Sequence, residues 1–168
     1  HVSVGYYHTC AVTTSGDLYC FGSNTKGQLG LGHTTSPVTT PQKVTSLSNV
    51  TKVSSGNNYT CAITSSNDLY CFGYSVGVNT ELADQLTPIR VSINNVKKVD
   101  FARGGNNYGH VCAVTYDNKL YCWGYGYGYQ LGTGSSTSLS TPFQVTGEYK
   151  DVSTGTDYTV AITTSNEL

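Results

Sequence analysis

The sequence predicts an all-β chain built from one repeated unit, and three observations carry that expectation. The segments Cys10-Ala11-Val12-Thr13, Cys61-Ala62-Ile63-Thr64 and Cys112-Ala113-Val114-Thr115 recur at a spacing of 51 residues. Each is followed ten residues later by a second cysteine in a constant setting: Leu18-Tyr19-Cys20-Phe21-Gly22, Leu69-Tyr70-Cys71-Phe72-Gly73 and Leu120-Tyr121-Cys122-Trp123-Gly124. Between the two segments of each copy lies a short polar interruption, the pattern of two strands joined by a tight turn. A fixed period of this length marks a solenoid, propeller or array.

The 168 residues divide into one repeat array, with copies at 1–49, 50–95, 96–148 and an incomplete 149–168. The fourth copy begins at Val152-Ser153-Thr154-Gly155 and runs to Leu168, the counterpart of Leu18. His1 falls inside the repeat pattern, so the chain reads as a segment of a longer polypeptide.

Charged residues make up only 11% of the chain and the net charge is −1. That argues against nucleic-acid binding, which needs a dense basic face. The nearest approach to one, Lys97-Lys98 with Arg103, reads as a short solvated turn. No apolar run approaches the roughly 18 residues of a membrane span, so no membrane insertion is expected.

The hairpin in the middle of each copy sets its own register. Pairing Cys10 with Cys20 places Thr13 opposite Asp17 and leaves the three-residue loop Thr14-Ser15-Gly16. Such loops end in one left-handed residue, a conformation that glycine and asparagine tolerate best. The four copies place Gly16, Asn67, Asn118 and Asn166 there. In this register the cysteines face each other across a non-hydrogen-bonded pair, about 4.5 Å apart at Cα and within disulfide range. The expected bridges are Cys10–Cys20, Cys61–Cys71 and Cys112–Cys122. Their identical spacing implies an oxidising compartment, and the fourth copy, with Val160 at the first cysteine position, has no bridge. Two other readings of these cysteines stand beside this one. One is a metal site using His8, Cys10 and Cys20, or His110, Cys112 and Cys122. Zinc sites usually space their cysteine pairs more closely, and the second and fourth copies carry Tyr59 and Tyr158 where histidine is needed. The other is reduced structural cysteines in a cytosolic protein.

Gly5-x-x-His8-Thr9-Cys10, Gly16-Asp17-Leu18-Tyr19-Cys20-Phe21-Gly22 and Gly27-Gln28-Leu29-Gly30-Leu31-Gly32, with Trp123-Gly124 and Gln130-Leu131-Gly132-Thr133-Gly134 in the third copy, resemble the regulator of chromosome condensation repeat. The resemblance is to a secreted, disulfide-bearing member. It covers essentially the whole chain and implies a β-propeller with blades of four antiparallel strands, typically seven blades. On that plan Thr40-Pro41-Gln42-Lys43-Val44, Thr87-Pro88-Ile89-Arg90-Val91 and Thr141-Pro142-Phe143-Gln144-Val145 are strands entered through proline. The second copy departs from the pattern at Gly73-Tyr74-Ser75-Val76-Gly77-Val78-Asn79, and the third carries extra residues from Phe101 to Asn107.

No catalytic constellation, metal set or cofactor motif is found. The glycines of Gly124-Tyr125-Gly126-Tyr127-Gly128 precede no helix that could hold a phosphate. His8 and His110 alternate with tyrosine at one repeat position, which points to hydrogen bonding in the core and not to proton transfer. Asn49-Val50-Thr51 and Asn58-Tyr59-Thr60 match the N-glycosylation pattern, and the Ser/Thr-rich stretches at 34–40 and 135–141 are candidates for O-linked sugar.

The leading expectation is therefore a non-enzymatic module, extracellular or on the cell surface. Its partners are other proteins or further copies of itself, in a homo-oligomer, array or filament. The alternative is a secreted inhibitor of a hydrolase. The resemblance includes propellers that block β-lactamases with an aromatic-rich face, and fourteen tyrosines make such a face available. Nucleotide exchange on a nuclear GTPase fits poorly with the cysteine pairs and low basicity. An ultraviolet sensor needs clustered tryptophans, and only Trp123 is present.

Overall fold

Strand-forming segments and turn residues alternate along the whole chain, and the fold follows from how they pair. The computed structural model describes residues 1–74, 84–102 and 109–168. The first sheet holds β1 (Val2–Val4), β2 (His8–Val12), β3 (Leu18–Gly22) and β4 (Val38–Lys43) in that order. The second holds β5 (Val50–Ser55), β6 (Tyr59–Thr64), β7 (Leu69–Gly73) and β8 (Gln85–Arg90). The third holds β9 (Val96–Phe101), β10 (His110–Thr115), β11 (Leu120–Gly124) and β12 (Leu139–Val145). β13 (Tyr149–Thr154) and β14 (Thr159–Thr163) pair alone. All pairings are antiparallel between neighbours, so each sheet is an up-and-down meander. This is the all-β, four-stranded blade architecture expected, and the described strands do not close into a ring.

The central hairpins adopt the expected register. Cys10 pairs with Cys20, Cys61 with Cys71 and Cys112 with Cys122. Thr13 N donates to Asp17 O at 2.9 Å, closing the three-residue loop. The left-handed position is filled by Gly16, Asn67, Asn118 and Asn166, at φ of 81°, 62°, 62° and 70°. Side chains brace the same turn. In the first, third and fourth copies the threonine Oγ1 accepts from the backbone N–H four residues on, at 2.9–3.0 Å. Ser15, Ser66 and Ser165 donate to Asp17, Asp68 and Glu167.

Two expectations about the outer and inner strands are corrected. Pro41, Pro88 and Pro142 lie inside β4, β8 and β12, not at their entry. Proline is tolerated there because each is the outermost strand of its sheet and its register slips in that stretch, so no ladder donor is lost. Lys97 and Lys98 are not in a turn; they belong to β9, the first strand of the third blade. Arg103 lies outside the described residues, as do most of the irregular stretch of the second copy and the extra residues of the third.

The first strands β1, β5, β9 and β13 touch one another in sequence, whereas the fourth strands make no comparable contact. The blades therefore converge on their first strands and splay outward. Apolar residues fill the seams. Leu18, Leu29, Val44, Val50, Val53 and Phe72 form one cluster between the first two blades, and Val91, Val96, Val99, Val111 and Trp123 form another between the second and third. Phe72 and Trp123 are fully buried, each contributing about 3 kcal/mol by removal from water. Gly30 is required beneath Phe72: its φ is 69°, and a Cβ there would meet the ring at 2.9 Å.

Candidate functional site

In each blade the loops from first to second strand and from third to fourth strand emerge at one end, because neighbouring strands are antiparallel. We call this the upper face. The loops there are seated by a polar latch that joins one blade to the next. His8 Nε2 donates to Thr60 Oγ1 at 2.8 Å, and Thr60 Oγ1 donates to Gln28 O at 2.8 Å. The threonine hydroxyl has one proton, and the Gln28 carbonyl takes it, so His8 must carry its own on Nε2. The third blade repeats the arrangement: His110 Nε2 donates to Thr159 Oγ1 at 2.7 Å, which donates to Gln130 O at 2.8 Å. Burial lowers the pKa of both His8 and His110 to about 4, so both are neutral near pH 7.

The second blade solves the same problem differently. Val111 stands where threonine would be needed, and Tyr59 replaces histidine, its hydroxyl donating to Ala102 O at 3.0 Å. Burial pushes the Tyr59 phenol well above its ordinary range. The hydrogen-bonding role read from the His/Tyr alternation thus fits His8, Tyr59 and His110. The Gly-Gln-Leu-Gly motif belongs to the latch as well. Gln28 is buried, accepts from Lys26 N and donates to Ser23 and Asn58, and Leu29 is wholly buried beneath it.

Above the latches the upper face displays tyrosine. Tyr6, Tyr7, Tyr127, Tyr129 and Tyr158 are 57–69% exposed, and all lie in upper loops. On the opposite end only Tyr116 is comparably exposed among the described residues. Tyr6 and Tyr7 meet edge to face with centroids 4.5 Å apart, and Tyr125 stacks on Tyr127 at 5.2 Å. Tyr129 and Tyr158 flank a cleft of about 310 Å³ floored by Leu120, Cys122, Leu131 and Ala161. Lys26 sits 4.9 Å from the Tyr74 ring centroid and 3.4 Å from Asp84.

The six cysteines lie in the middle of the blades, joined in three cross-strand pairs with Cα atoms 4.2, 4.1 and 4.2 Å apart. All six are essentially buried. Among the described residues no group of three or more His, Cys, Asp or Glu could hold a metal, and no helix is long and apolar enough to cross a membrane. Asn49 is exposed at φ 56°, whereas the Asn58 carboxamide is half-buried and accepts from Gln28. Sequence reasoning found the histidines, the tyrosine content and the cysteine pairs. It missed the partner threonines Thr60 and Thr159, whose only signal is that Thr follows His one copy later and Val follows Tyr.

Blades of four antiparallel strands, converging on their first strands and carrying their loops on one aromatic face, define an RCC1-type β-propeller architecture. Models of the regulator of chromosome condensation (RCC1) repeat match residues 15–63 and 117–162, with a second model of that repeat at 1–28. The chain belongs to this family. It is 33% identical to the ultraviolet-B receptor UVR8 of Arabidopsis thaliana over 99% of its length, and 32% identical over 84% to a bifunctional serine/threonine-protein kinase/NEDD4-like E3 ubiquitin-protein ligase of Dictyostelium discoideum. It spans 39% of the first and 8% of the second. Human WBSCR16 superimposes with a TM-score of 0.83 at 21% identity, covering 97% of this chain and 44% of that one. Prp20p of Saccharomyces cerevisiae superimposes at 0.80 and 20% identity, covering 98% and 43%.

Proposed function

We propose that this chain is a non-enzymatic protein-binding module that acts outside the cell or at its surface and engages its partner with the tyrosine face. The observation that carries the reading is the concentration of exposed tyrosines on the upper loops, held by latches between rigid sheets. Tyrosine supplies large amphipathic contact area at low entropic cost and is enriched in binding hot spots. The family fold supports the reading, since yeast Prp20p is described by its binding properties to Gsp1p and histones and has been solved bound to Kap60. The extracellular setting draws on the three cysteine pairs and the sparse charge. In the same setting we propose Asn49, and not the engaged Asn58, as the residue open to a glycan.

The sharper form of this function is inhibition of a secreted hydrolase, favoured by the exposed tyrosines of the upper loops, which offer aromatic anchors to a partner. The test is capture of secreted hydrolases by the wild-type chain and by Tyr127→Ala/Tyr129→Ala/Tyr158→Ala. Binding without turnover that the triple variant loses supports the proposal; equal capture by both chains overturns it. A second reading is assembly with further copies. It draws on the way successive copies of the unit already pack on one another through their first strands. Native mass spectrometry decides it, since a strictly monomeric species at micromolar concentration excludes self-assembly.

A further inference from the structure

Four of the chain's seven lysines lie on the converging first strands: Lys52 on β5, Lys97 and Lys98 on β9, and Lys150 on β13. They line an axial cleft of about 520 Å³ together with Ser54, Val99 and Asp151. The two carboxylates of these strands are already engaged. Asp151 pairs with Lys98 at 2.6 Å, and Asp100 accepts from Ser153 Oγ and Thr154 N.

Lys52, Lys97 and Lys150 differ from every other described lysine and arginine. Lys26, Lys43, Arg90, Lys98 and Lys119 each pair with a carboxylate. Lys52 instead donates to Lys97 O at 2.7 Å, Lys97 donates to Lys150 O at 3.1 Å, and Lys150 donates to Asn166 Oδ1. Each ammonium thus spends one of three donors on a neutral oxygen and keeps its full charge. The first two bonds step from blade to blade and the third stays within the β13-β14 hairpin, so the lysine stems are anchored and not left to sweep through solvent. Like charges gathered on low-dielectric walls focus a positive potential in the space between them. In a chain of net charge −1 this concentration has no counterpart in the ion-paired periphery.

We infer that the axial cleft binds a compact polyvalent oxyanion, a molecule carrying several phosphate or sulfate groups, through the ammonium groups of Lys52, Lys97 and Lys150. Several anionic groups are required because the three cations come from three successive blades. Ammonium groups act on such ligands as point charges with rotatable donors. The site shares no residue with the tyrosine face and stands whether or not that face binds protein.

Isothermal titration of the whole chain with tripolyphosphate, and separately with sucrose octasulfate, tests the inference. Saturable one-site binding that weakens as salt rises is expected. Lys52→Gln/Lys97→Gln/Lys150→Gln should weaken it at least tenfold, and Lys26→Gln/Lys43→Gln/Lys119→Gln, with the same change in net charge, should leave it within twofold. The tighter of the two probes identifies the source of the anionic groups. Absence of binding by wild type overturns the inference, as does equal loss in the two triple variants, which assigns the effect to overall charge. Lys150→Gln serves as the second variant should the triple change prevent folding. It strands no backbone carbonyl, because Lys150 reaches only the exposed Asn166 side chain, and it should lower affinity severalfold at unchanged thermal stability; unchanged affinity again overturns the site.

Discussion

His8 in the first blade and Thr60 in the second are joined by a 2.8 Å hydrogen bond between buried side chains, and the same threonine hydroxyl donates to the carbonyl of Gln28. One hydroxyl therefore seats the histidine and the Gly-Gln-Leu-Gly loop of the preceding blade together. Thr60→Val should cost about 1–3 kcal/mol, since it strands two buried polar groups at once. His8→Tyr/Thr60→Val copies the Tyr59/Val111 pair of the next seam and should recover part of the loss. Urea denaturation of wild type, Thr60→Val and the double variant checks this, and a double variant no more stable than Thr60→Val contradicts the exchange.

Acid should loosen the same seams. Burial lowers His8 and His110 to about 4, against an ordinary value near 6.5, with Asp157 and Asp100 partly opposing the shift at His110. Between those values the unfolded chain binds more protons than the folded one. Stability is then fully present above pH 6.5, falls as pH drops, and reaches its floor below about 4. The loss is on the order of 3 kcal/mol for each histidine. Urea midpoints measured from pH 7 to 4 should decline over that window, and His8→Tyr/Thr60→Val should flatten the decline.

Peptide mapping without reduction should recover Cys10 with Cys20, Cys61 with Cys71 and Cys112 with Cys122. Cross-strand partners within one hairpin are the only cysteines near enough to join. Each bridge closes a short loop and should contribute roughly 2–3 kcal/mol, so full reduction should lower the unfolding midpoint sharply. Recovery of free thiols would remove the main support for an oxidising compartment.

Asn118 holds the left-handed position of its turn at φ 62°. Asn118→Gly should be nearly neutral, and Asn118→Val should cost about 1–2 kcal/mol, because a β-branched side chain fits that conformation poorly. Thermal melts of the two variants separate backbone strain from loss of the side chain.

Tyr127, Tyr129 and Tyr158 are exposed, so their combined replacement by alanine should leave thermal stability within about 0.5 kcal/mol of wild type. Tyr59→Phe, by contrast, leaves the Ala102 carbonyl without its donor and should destabilise by about 1 kcal/mol without touching the upper surface. Denaturation curves run beside the capture assay distinguish surface tyrosines from seam tyrosines.

The hairpin register is legible in the amino-acid order because its information is local. Facing cysteines, a three-residue loop and a residue that tolerates positive φ lie within about a dozen positions of one another. The prolines mislead for an equally physical reason. A proline marks where a ladder donor is missing, and both the start of a strand and a slipped outer edge satisfy that condition. Lys97 and Lys98 resemble a turn because charge pairs usually are solvated, and no short-range pattern shows that a strand borders an axial cleft.

The amino-acid order by itself determined the all-β class, the repeat, the hairpin pairing and the family, since each is written in neighbouring residues and their periodic return. Only the packing of one blade on the next decided that His8 meets Thr60, that Gln28 engages Asn58 while Asn49 stays open, that five tyrosines share a face, and that three lysines without a carboxylate partner share a cleft. Those relationships join residues from different copies or different loops. Their geometry depends on how sheets converge on their first strands, a property of the assembled blades that no single segment carries.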